Sequence, residues 1–272
     1  MKIVNSIARP TRVFDTSGNQ PALILCDDFE FYVCKYNRMP GSEAKKLFHE
    51  LIAGHFAQLW NLNVPEFSLV NVNPEHIVGH ETLQPVFFQT LSFGSKYNQN
   101  LVEVDEFYGA LSAIQKRKFD SKFDFLKIAL FDIWMANDDR SFNNYNLLID
   151  SANGNRFTPI DHDAIFNTGN LDKGLYLLSE NETLIDTEIA TRLFNARELR
   201  SEEFLKNIEN EYYFCIENCK ENLDTILQDI PDNWNINIEK YKTLLTANSF
   251  NDMWITDVFK HFSELIQLKF LK

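Results

Sequence analysis

The sequence predicts an α+β protein: a small β-rich N-terminal lobe that carries one helix, followed by a larger helical lobe. Three observations lead to this prediction. Short apolar runs typical of strands are concentrated in the first third of the chain. A single stretch of helical periodicity lies among them. After about residue 183, helical periodicity dominates the remaining sequence. We therefore divide the chain into residues 1–92 and residues 93–272.

In the first lobe, two apolar runs predict a strand hairpin. They lie at residues 22–26 and 31–35, and the second is rich in aromatic and β-branched side chains. The short acidic turn between them favours antiparallel pairing. Two further strands are predicted at residues 67–72 and 86–91.

The helix of the first lobe is predicted to follow Ser42 and to end before Pro65. Apolar side chains between Leu47 and Trp60 recur at three- and four-residue spacing. Proline biases the residue before it away from helix, which explains the end. In the second lobe, similar periodicity predicts helices, with two short strands between the first helix and the rest. The helices lie at residues 123–136, 187–195, 201–227, 236–246 and 251–271, and the strands at residues 146–149 and 157–160.

Composition and charge argue against several classes of protein. The chain has 272 residues, with 39 acidic and 26 basic side chains, for a net charge of −13. Because nucleic-acid binders usually need a basic face, no direct nucleic-acid partner is expected. No apolar stretch reaches the ~18 residues of a membrane span, and the N-terminus lacks the apolar core of a signal peptide. We therefore expect a cytoplasmic protein without a membrane partner, and we expect its four cysteines to be buried thiols.

A polar loop between two apolar elements carries the strongest chemical signal. Residues 137–146 contain two acids and four amides, and Asp139 and Asn144 are five residues apart (144 − 139). In phosphotransferases, an aspartate in such a loop orients the attacking hydroxyl, and the amide oxygen of an asparagine holds magnesium. A capped, solvated turn is the alternative interpretation.

A second acidic position follows the next predicted strand. Asp161 comes 22 residues after Asp139 (161 − 139), directly after residues 157–160. Magnesium binds one or two carboxylates together with substrate phosphates. Asp161 and Asn144 would therefore supply two protein ligands. The alternative is an aspartate that only caps a turn at the end of a strand.

Two charged residues of the first lobe extend this set. Lys35 closes the second strand of the hairpin, where its ammonium group could reach the α- and β-phosphates of a nucleotide. Glu50 borders the apolar face of the predicted helix and could pair with Lys35. The alternatives are a solvated lysine at the sheet edge and a solvated carboxylate on the helix.

The order of these parts along the chain is more specific than any one of them. A flexible loop, a strand lysine, a helix glutamate, an Asp-x4-Asn segment and a strand-end aspartate follow one another as in protein-kinase-like phosphotransferases. GxGxxG, HRD and DFG motifs are missing from the sequence. Over about residues 10–170 the chain instead resembles the HipA-like kinases and, more distantly, the phosphatidylinositol 3- and 4-kinases. The matching segments are DRSFNN at residues 139–144 and PIDHD at residues 159–163, with further similarity at residues 21–35, 50–65 and 230–234.

This resemblance implies a bilobal protein-kinase-like fold and a role for each polar residue of the second lobe. Asp139 would be the catalytic aspartate, and Asn144 and Asp161 would be magnesium ligands. Ser141 stands where the family often has histidine.

In the first lobe, the resemblance implies a binding site for ATP. The loop at residues 16–20 would cover the phosphates, and the strand end at residues 89–91 would be the hinge that pairs with adenine. Lys35 would contact the phosphates, and Glu50 would orient it. The residues expected to bind the nucleotide are Lys35, Glu50, Ser17, Gly18, Gln89 and Leu91.

From the residues and the resemblance together, we expect an ATP- and Mg²⁺-dependent kinase that acts on serine or threonine in a protein substrate. Two alternatives remain open: a nucleotide-binding pseudokinase that works by interaction, and a kinase of a small molecule or lipid. The resemblance also raises the possibility of an antitoxin-like protein partner, because family members in toxin–antitoxin systems are held by a DNA-binding protein. The chain itself has no basic helix-turn-helix pattern.

Overall fold

A computed structural model of the chain contains two compact units. It describes residues 1–15, 20–105, 119, 122–150, 152 and 154–271. The first unit is formed by Met1–Gly54, Pro65–Gln99 and Thr225–Ile238, and the second by His55–Val64, Asn100–Asp224 and Glu239–Lys272. The fold mixes α and β elements, as the sequence predicts.

The first unit is built on a six-stranded sheet with the order β1-β5-β6-β4-β3-β2. All neighbouring strands pair antiparallel except β1 and β5, which are parallel. The strands are β1 (Ile3–Asn5), β2 (Arg12–Val13), β3 (Ala22–Leu25), β4 (Phe31–Lys35), β5 (Phe67–Asn71) and β6 (Ser92–Lys96). The hairpin predicted from the two apolar runs is therefore confirmed as β3 and β4.

Side chains on alternate positions of the hairpin form the core of the first unit. Ala22, Ile24, Tyr32 and Cys34 are buried, while their neighbours along the strands are half-buried. This period of two is what a sheet with one covered face requires. It is also why the sequence alone could identify these strands.

One predicted strand of the first unit is wrong. Residues 86–91 do not form a strand, because Pro85–Phe88 is a 3-10 turn and the strand follows as β6. Pro85 sits at the first helical position, where its fixed φ and missing N–H are tolerated. The sequence does not predict strand β6 itself, because its glycine and lysine have low β-propensity. The boundary expected after residue 92 falls at the start of β6, which pairs with β4 and β5.

The predicted helix of the first lobe is α1, at Lys45–Leu59, and the first unit includes its residues up to Gly54. The segment that resembles the family at residues 230–234 returns to this unit as a 3-10 turn. There the Trp234 indole donates to the Leu91 carbonyl at 2.6 Å, and the Trp234 carbonyl accepts from the Ala44 amide at 2.9 Å. Trp234 thus fixes the chain just before β6 and just before α1.

The second unit combines helices with a three-stranded antiparallel sheet. The sheet has the order β7-β8-β9, with β7 at Leu101–Glu103, β8 at Leu147–Asp150 and β9 at Arg156–Pro159. Among the described residues the right-handed helices are α2 (Lys122–Met135), α3 (Glu188–Leu193), α4 (Ala196–Leu199), α5 (Glu202–Leu227), α6 (Ile238–Ala247) and α7 (Asp252–Phe270). Ile165–Gly169 forms one further turn that contains left-handed residues. In the described part of both units the 3-10 turns are Pro74–His76, Pro85–Phe88, Leu171–Lys173, Glu180–Glu182, Leu184–Asp186 and Asp232–Trp234.

Helix α2 lies at the centre of the second unit. Every residue from Ile128 to Met135 is buried. Its aromatic rings pack on those of neighbouring elements: Trp134 stacks on Trp60 with centroids 5.5 Å apart, and Phe131 meets Trp60 edge-on at 5.2 Å. Such pairs contribute about 0.5–1.5 kcal/mol each beyond the area that they bury. The end of α2 is thereby held rigidly where the polar loop begins.

The four cysteines are free and buried, as predicted. Burial raises the pKa of each thiol, to about 12 for Cys26 and about 11 for Cys215. Thiols with raised pKa values are poor nucleophiles and poor metal ligands.

In the described part of the chain, no helix is both long and apolar enough to cross a bilayer.

Candidate active site

The polar loop begins where α2 ends in a left-handed residue. Ala136 has φ of +48°, and the Asn137 amide donates back to the Asp132 carbonyl at 2.9 Å. The Asn137 side chain donates to Asp132 Oδ1 at 3.0 Å. A left-handed residue with N–H bonds back to the last turn is a common way to end a helix. It turns the chain sharply and delivers Asp138 and Asp139 directly after buried residues.

Asp139 is held by two asparagine side chains. Its Oδ2 accepts from Asn144 Nδ2 at 2.9 Å and from Asn146 Nδ2 at 3.1 Å. Between them the backbone makes a tight turn, because Ser141 and Asn144 exchange N–H···O bonds of 3.0 and 3.2 Å. The five-residue spacing seen in the sequence is therefore a spatial contact, with the carboxylate oriented by two amides.

The sheet of the second unit brings Asp161 to the same loop. In the antiparallel register, Leu147 of β8 lies opposite Pro159 of β9, and the next pair is closed by the Ile160 amide donating to the Asn146 carbonyl at 3.0 Å. Asp161 is the residue after Ile160, so its backbone lies next to the Ile160–Asn146 pair. The Asn146 side chain binds Asp139, and Asp161 is therefore close to the loop that carries Asp139. Asp161 itself has φ of +59°, which turns the chain out of the strand direction.

The donor set of Asn144 and Asp161 fits magnesium. Asn144 Nδ2 donates to Asp139, so Asn144 Oδ1 is the atom left to bind a cation, and the side chain is exposed. Among the residues that the structure describes, no group of three or more His, Cys, Asp or Glu side chains is arranged to hold a metal. Magnesium bound with a nucleotide does not need one, because it takes one or two protein ligands, substrate phosphates and waters.

A buried ion pair between Arg140 and Asp132 stabilises the loop. Arg140 Nε lies 2.9 Å from Asp132 Oδ2, and the two side chains are 0% and 3% exposed. Arg140 also donates to the carbonyls of Asn146, in a short contact, and Tyr145, at 3.4 Å. Burial raises the pKa of Asp132, while the Arg140 guanidinium and the Asn137 amide act in the opposite direction. Arg140 thus ties the helix before Asp139 to the chain just before β8.

In the first unit, Lys35 and Glu50 form an ion pair. Lys35 Nζ lies 2.5 Å from Glu50 Oε1, with side chains 12% and 4% exposed. Lys35 is the last residue of β4 and Glu50 lies on α1, so the pair joins the sheet to the helix. Water screens such a pair weakly because both groups are nearly buried, and its geometry fixes the direction of the lysine stem.

The structure gives less support to the other four residues that were expected to bind the nucleotide, Ser17, Gly18, Gln89 and Leu91. Ser17 and Gly18 lie outside the described residues. The sequence predicts that Gln89 and Leu91 end a strand. They lie instead between a 3-10 turn and β6. The Leu91 carbonyl accepts the Trp234 indole N–H. Their role as a hinge stays a prediction.

Sequence reasoning missed three members of the site: Asn146, Asp132 and Arg140. Asn146 could have been suspected, because it is the last polar residue before an apolar strand. Asp132 had a clear signal as an acid in the middle of a helix that is otherwise apolar for two turns. Lone buried acids are rare unless they are paired, and Arg140 is the nearest basic residue that follows it in the sequence.

Comparisons with known proteins point to a kinase family. A family model described as a HipA-like kinase matches residues 7–263. Among solved structures, the chain is similar to the Helicobacter pylori proinflammatory kinase CtkA, with a TM-score of 0.56 and 13% identity over 98% of this chain and 99% of that one. At this identity the likeness supports the fold alone.

Weaker structural likenesses extend to two further proteins. HipA of Shewanella oneidensis MR-1, solved with HipB and its operator DNA, has a TM-score of 0.33 and 11% identity over 97% of this chain and 67% of that one. CtTel1 in its open conformation has a TM-score of 0.36 and 12% identity over 97% of this chain and 13% of that one. No protein with a curated function matches the sequence. Because the family model spans nearly the whole chain, the protein belongs to the HipA-like kinase family.

Proposed function

We propose that this protein is an ATP- and Mg²⁺-dependent kinase that transfers phosphate to a serine or threonine hydroxyl of a protein substrate. The observation that carries the proposal is the Asp139 carboxylate, fixed by two amides in a loop that the sheet register joins to Asp161. Phosphoryl transfer needs little covalent chemistry from the protein, so fixed charges and orientation make up most of the catalysis.

In this proposal Asp139 orients the acceptor hydroxyl. Asn144 and Asn146 both donate to Oδ2, which leaves Oδ1 to accept the proton of the serine or threonine. As the acceptor oxygen attacks the γ-phosphorus, its proton passes toward this carboxylate and ADP leaves. The two amides keep the carboxylate in one rotamer, so little orientation has to be gained during the reaction.

Asn144 Oδ1 and the Asp161 carboxylate would hold magnesium. When bound, the ion neutralises charge on the ATP phosphate oxygens and aligns them. Asn144 would then have two tasks, because its Nδ2 orients Asp139 and its Oδ1 faces the cation. This double role explains why an amide rather than a carboxylate is suited to the position.

In the first unit, Lys35 would bind ATP phosphates and Glu50 would aim it. We expect Lys35→Met to lower kcat/KM for ATP by about 10²-fold, since a phosphate clamp of this kind stabilises charge in the transition state. Glu50→Gln keeps the size of the side chain but removes its charge, and should have a smaller effect of the same kind. Lys45→Met, an exposed lysine at the start of α1, is the matched control. ATP kinetics that are equal in Lys35→Met and Lys45→Met would contradict this role.

The first experiment is intact-protein and peptide mass spectrometry after incubation with ATP, with either Mg²⁺ or a chelator. We expect phosphate on serine or threonine only with Mg²⁺. We also expect Asp161→Asn to lower the rate by at least about 10²-fold. Asp172→Asn makes the same change at an exposed position of the second unit and should keep the wild-type rate.

Other outcomes assign the protein to another class. Nucleotide binding without transfer to protein or water would indicate a pseudokinase. Turnover of ATP with phosphate found only on an added small alcohol or lipid would indicate a different acceptor class. Phosphate transfer unaffected by the chelator would contradict the metal assignment. The antitoxin-like protein partner stays a prediction, to be tested by co-purification.

A further inference from the structure

The chain after Asp161 makes an unusual left-handed turn. Phe166, Asn167 and Thr168 have φ values of 61°, 49° and 55°, with ψ between 42° and 62°. Three consecutive residues other than glycine rarely adopt this conformation, and a β-branched threonine is particularly ill suited to it. Backbone strain of this kind persists only when surrounding contacts over-determine it, and it is concentrated at functional sites.

Asn167 supplies most of the contacts that hold the turn. Its backbone amide donates to the Ala136 carbonyl at 2.8 Å. Its side chain binds both backbone groups of Tyr176, accepting from the amide at 3.0 Å and donating to the carbonyl at 3.2 Å. The whole residue is buried, at 0% exposure. Asn167 therefore joins the end of α2 to the chain at Tyr176.

Thr168 makes the second link, to the polar loop itself. Its hydroxyl donates to Asp138 Oδ1 at 2.9 Å. Burial raises the pKa of Asp138, and the bond from Thr168 acts in the opposite direction. The two contacts from the turn thus reach Ala136 and Asp138, which are three and one residues before Asp139 (139 − 136 and 139 − 138).

Resting on the proposed function, we propose that Asn167 and Thr168 are positioning residues for phosphoryl transfer: the left-handed turn fixes residues 136–138 and so sets the direction of Asp139. Arg140 and the two asparagines hold Asp139 and the loop after it. Before Asp139, the bonds from Asn137 to Asp132 hold the end of α2, and the chain from there to Asp139 needs a further contact. The turn fills this role from the segment that begins at Asp161. The catalytic aspartate and the metal-binding strand end are then fixed to each other by side chains that touch neither substrate nor ion.

The test compares Thr168→Val with Thr168→Ser. Valine keeps the shape and the β-branching of threonine but cannot donate, whereas serine keeps the hydroxyl. We expect Thr168→Val to lower kcat by about 10- to 100-fold, the range that follows a small misplacement of a catalytic group. KM for ATP and the melting temperature should stay at wild-type values, and Thr168→Ser should restore kcat. Thr243→Val removes a similar exposed hydroxyl bond from α6 and is the matched control.

Hydrogen–deuterium exchange provides a readout that does not depend on activity. Thr168→Val should speed exchange in peptides from residues 137–146 and leave peptides from α7 unchanged, and Thr168→Ser should return the loop to wild-type exchange. Wild-type exchange of the loop in Thr168→Val would overturn the inference, even in a protein that transfers no phosphate. Faster exchange throughout the second unit, or a parallel rise in KM with a lower melting temperature, would also overturn it, because either result indicates a general structural role.

Asn167→Asp gives an independent check on the other half of the turn. The carboxylate can still accept from the Tyr176 amide but now faces the Tyr176 carbonyl with a second acceptor oxygen. We expect the same faster exchange of residues 137–146 and a similar fall in kcat. If this variant does not fold, the Thr168 series decides the question.

Discussion

Asp139→Asn is expected to lower the rate of phosphoryl transfer by about 10²- to 10⁴-fold while leaving the protein folded. The substitution keeps the shape of the side chain and one carbonyl oxygen that can accept from Asn144 and Asn146. It removes the negative charge that accepts the proton of the attacking hydroxyl. The loss should therefore appear in kcat, with little change in KM for ATP, because the interaction is made with the acceptor in the transition state.

The measurement is the initial rate of phosphate incorporation under Mg²⁺ and ATP, together with the melting temperature. Asp257→Asn is the matched control, because Asp257 is an exposed residue of α7. The expected stability change of Asp139→Asn is about 1 kcal/mol, the size of one exchanged hydrogen bond. A variant with the full rate would remove Asp139 from the mechanism. A variant that is unfolded would show that the two amide bonds are structural.

Much of the fold could be predicted because periodicity depends only on which face of an element is buried. The alternation in β3 and β4 and the apolar stripe of α7 are of this kind. Strand β6 could not be predicted, because Gly94 and Ser95 give no strand signal. Gly94 is required there because a Cβ atom would collide with Val70 and would lie 3.2 Å from Tyr32 Cβ. The reason for glycine is visible only once β6 is paired with β4 and β5, which brings Tyr32 and Val70 next to Gly94.

The site was predictable to the extent that its residues are close in sequence. Asp139 and Asn144 stand out because five residues separate them within one loop. Arg140 contacts Asp132 and Thr168 contacts Asp138 only because the fold brings these residues together. No local sequence pattern indicates such contacts. Thr168 in particular reaches Asp138 across 30 residues (168 − 138), through a backbone conformation that threonine rarely adopts.

The second large effect concerns stability. Asp132→Asn is expected to lower the free energy of unfolding by about 3–5 kcal/mol, since it leaves the Arg140 guanidinium buried without a compensating charge. The new amide can still accept from Asn137, but its NH₂ group would face Arg140 Nε, which lies 2.9 Å from Asp132 Oδ2 in the wild type. A typical domain is stable by only about 5–15 kcal/mol, so the loss is a large part of the total.

Urea unfolding measures this loss, and an exposed ion pair of the same unit provides the comparison. Lys242 and Asp224 lie 2.6 Å apart with side chains 42% and 65% exposed, so Asp224→Asn should cost about 0–1 kcal/mol. Equal losses in the two variants would contradict the importance of burial. A double-mutant cycle with Arg140→Met then separates the pair from its surroundings. If the main cost is the unpaired charge, adding Arg140→Met to Asp132→Asn should recover part of the stability. The transfer rate of the double variant should be low, because Arg140→Met removes the donor to the carbonyls of Tyr145 and Asn146.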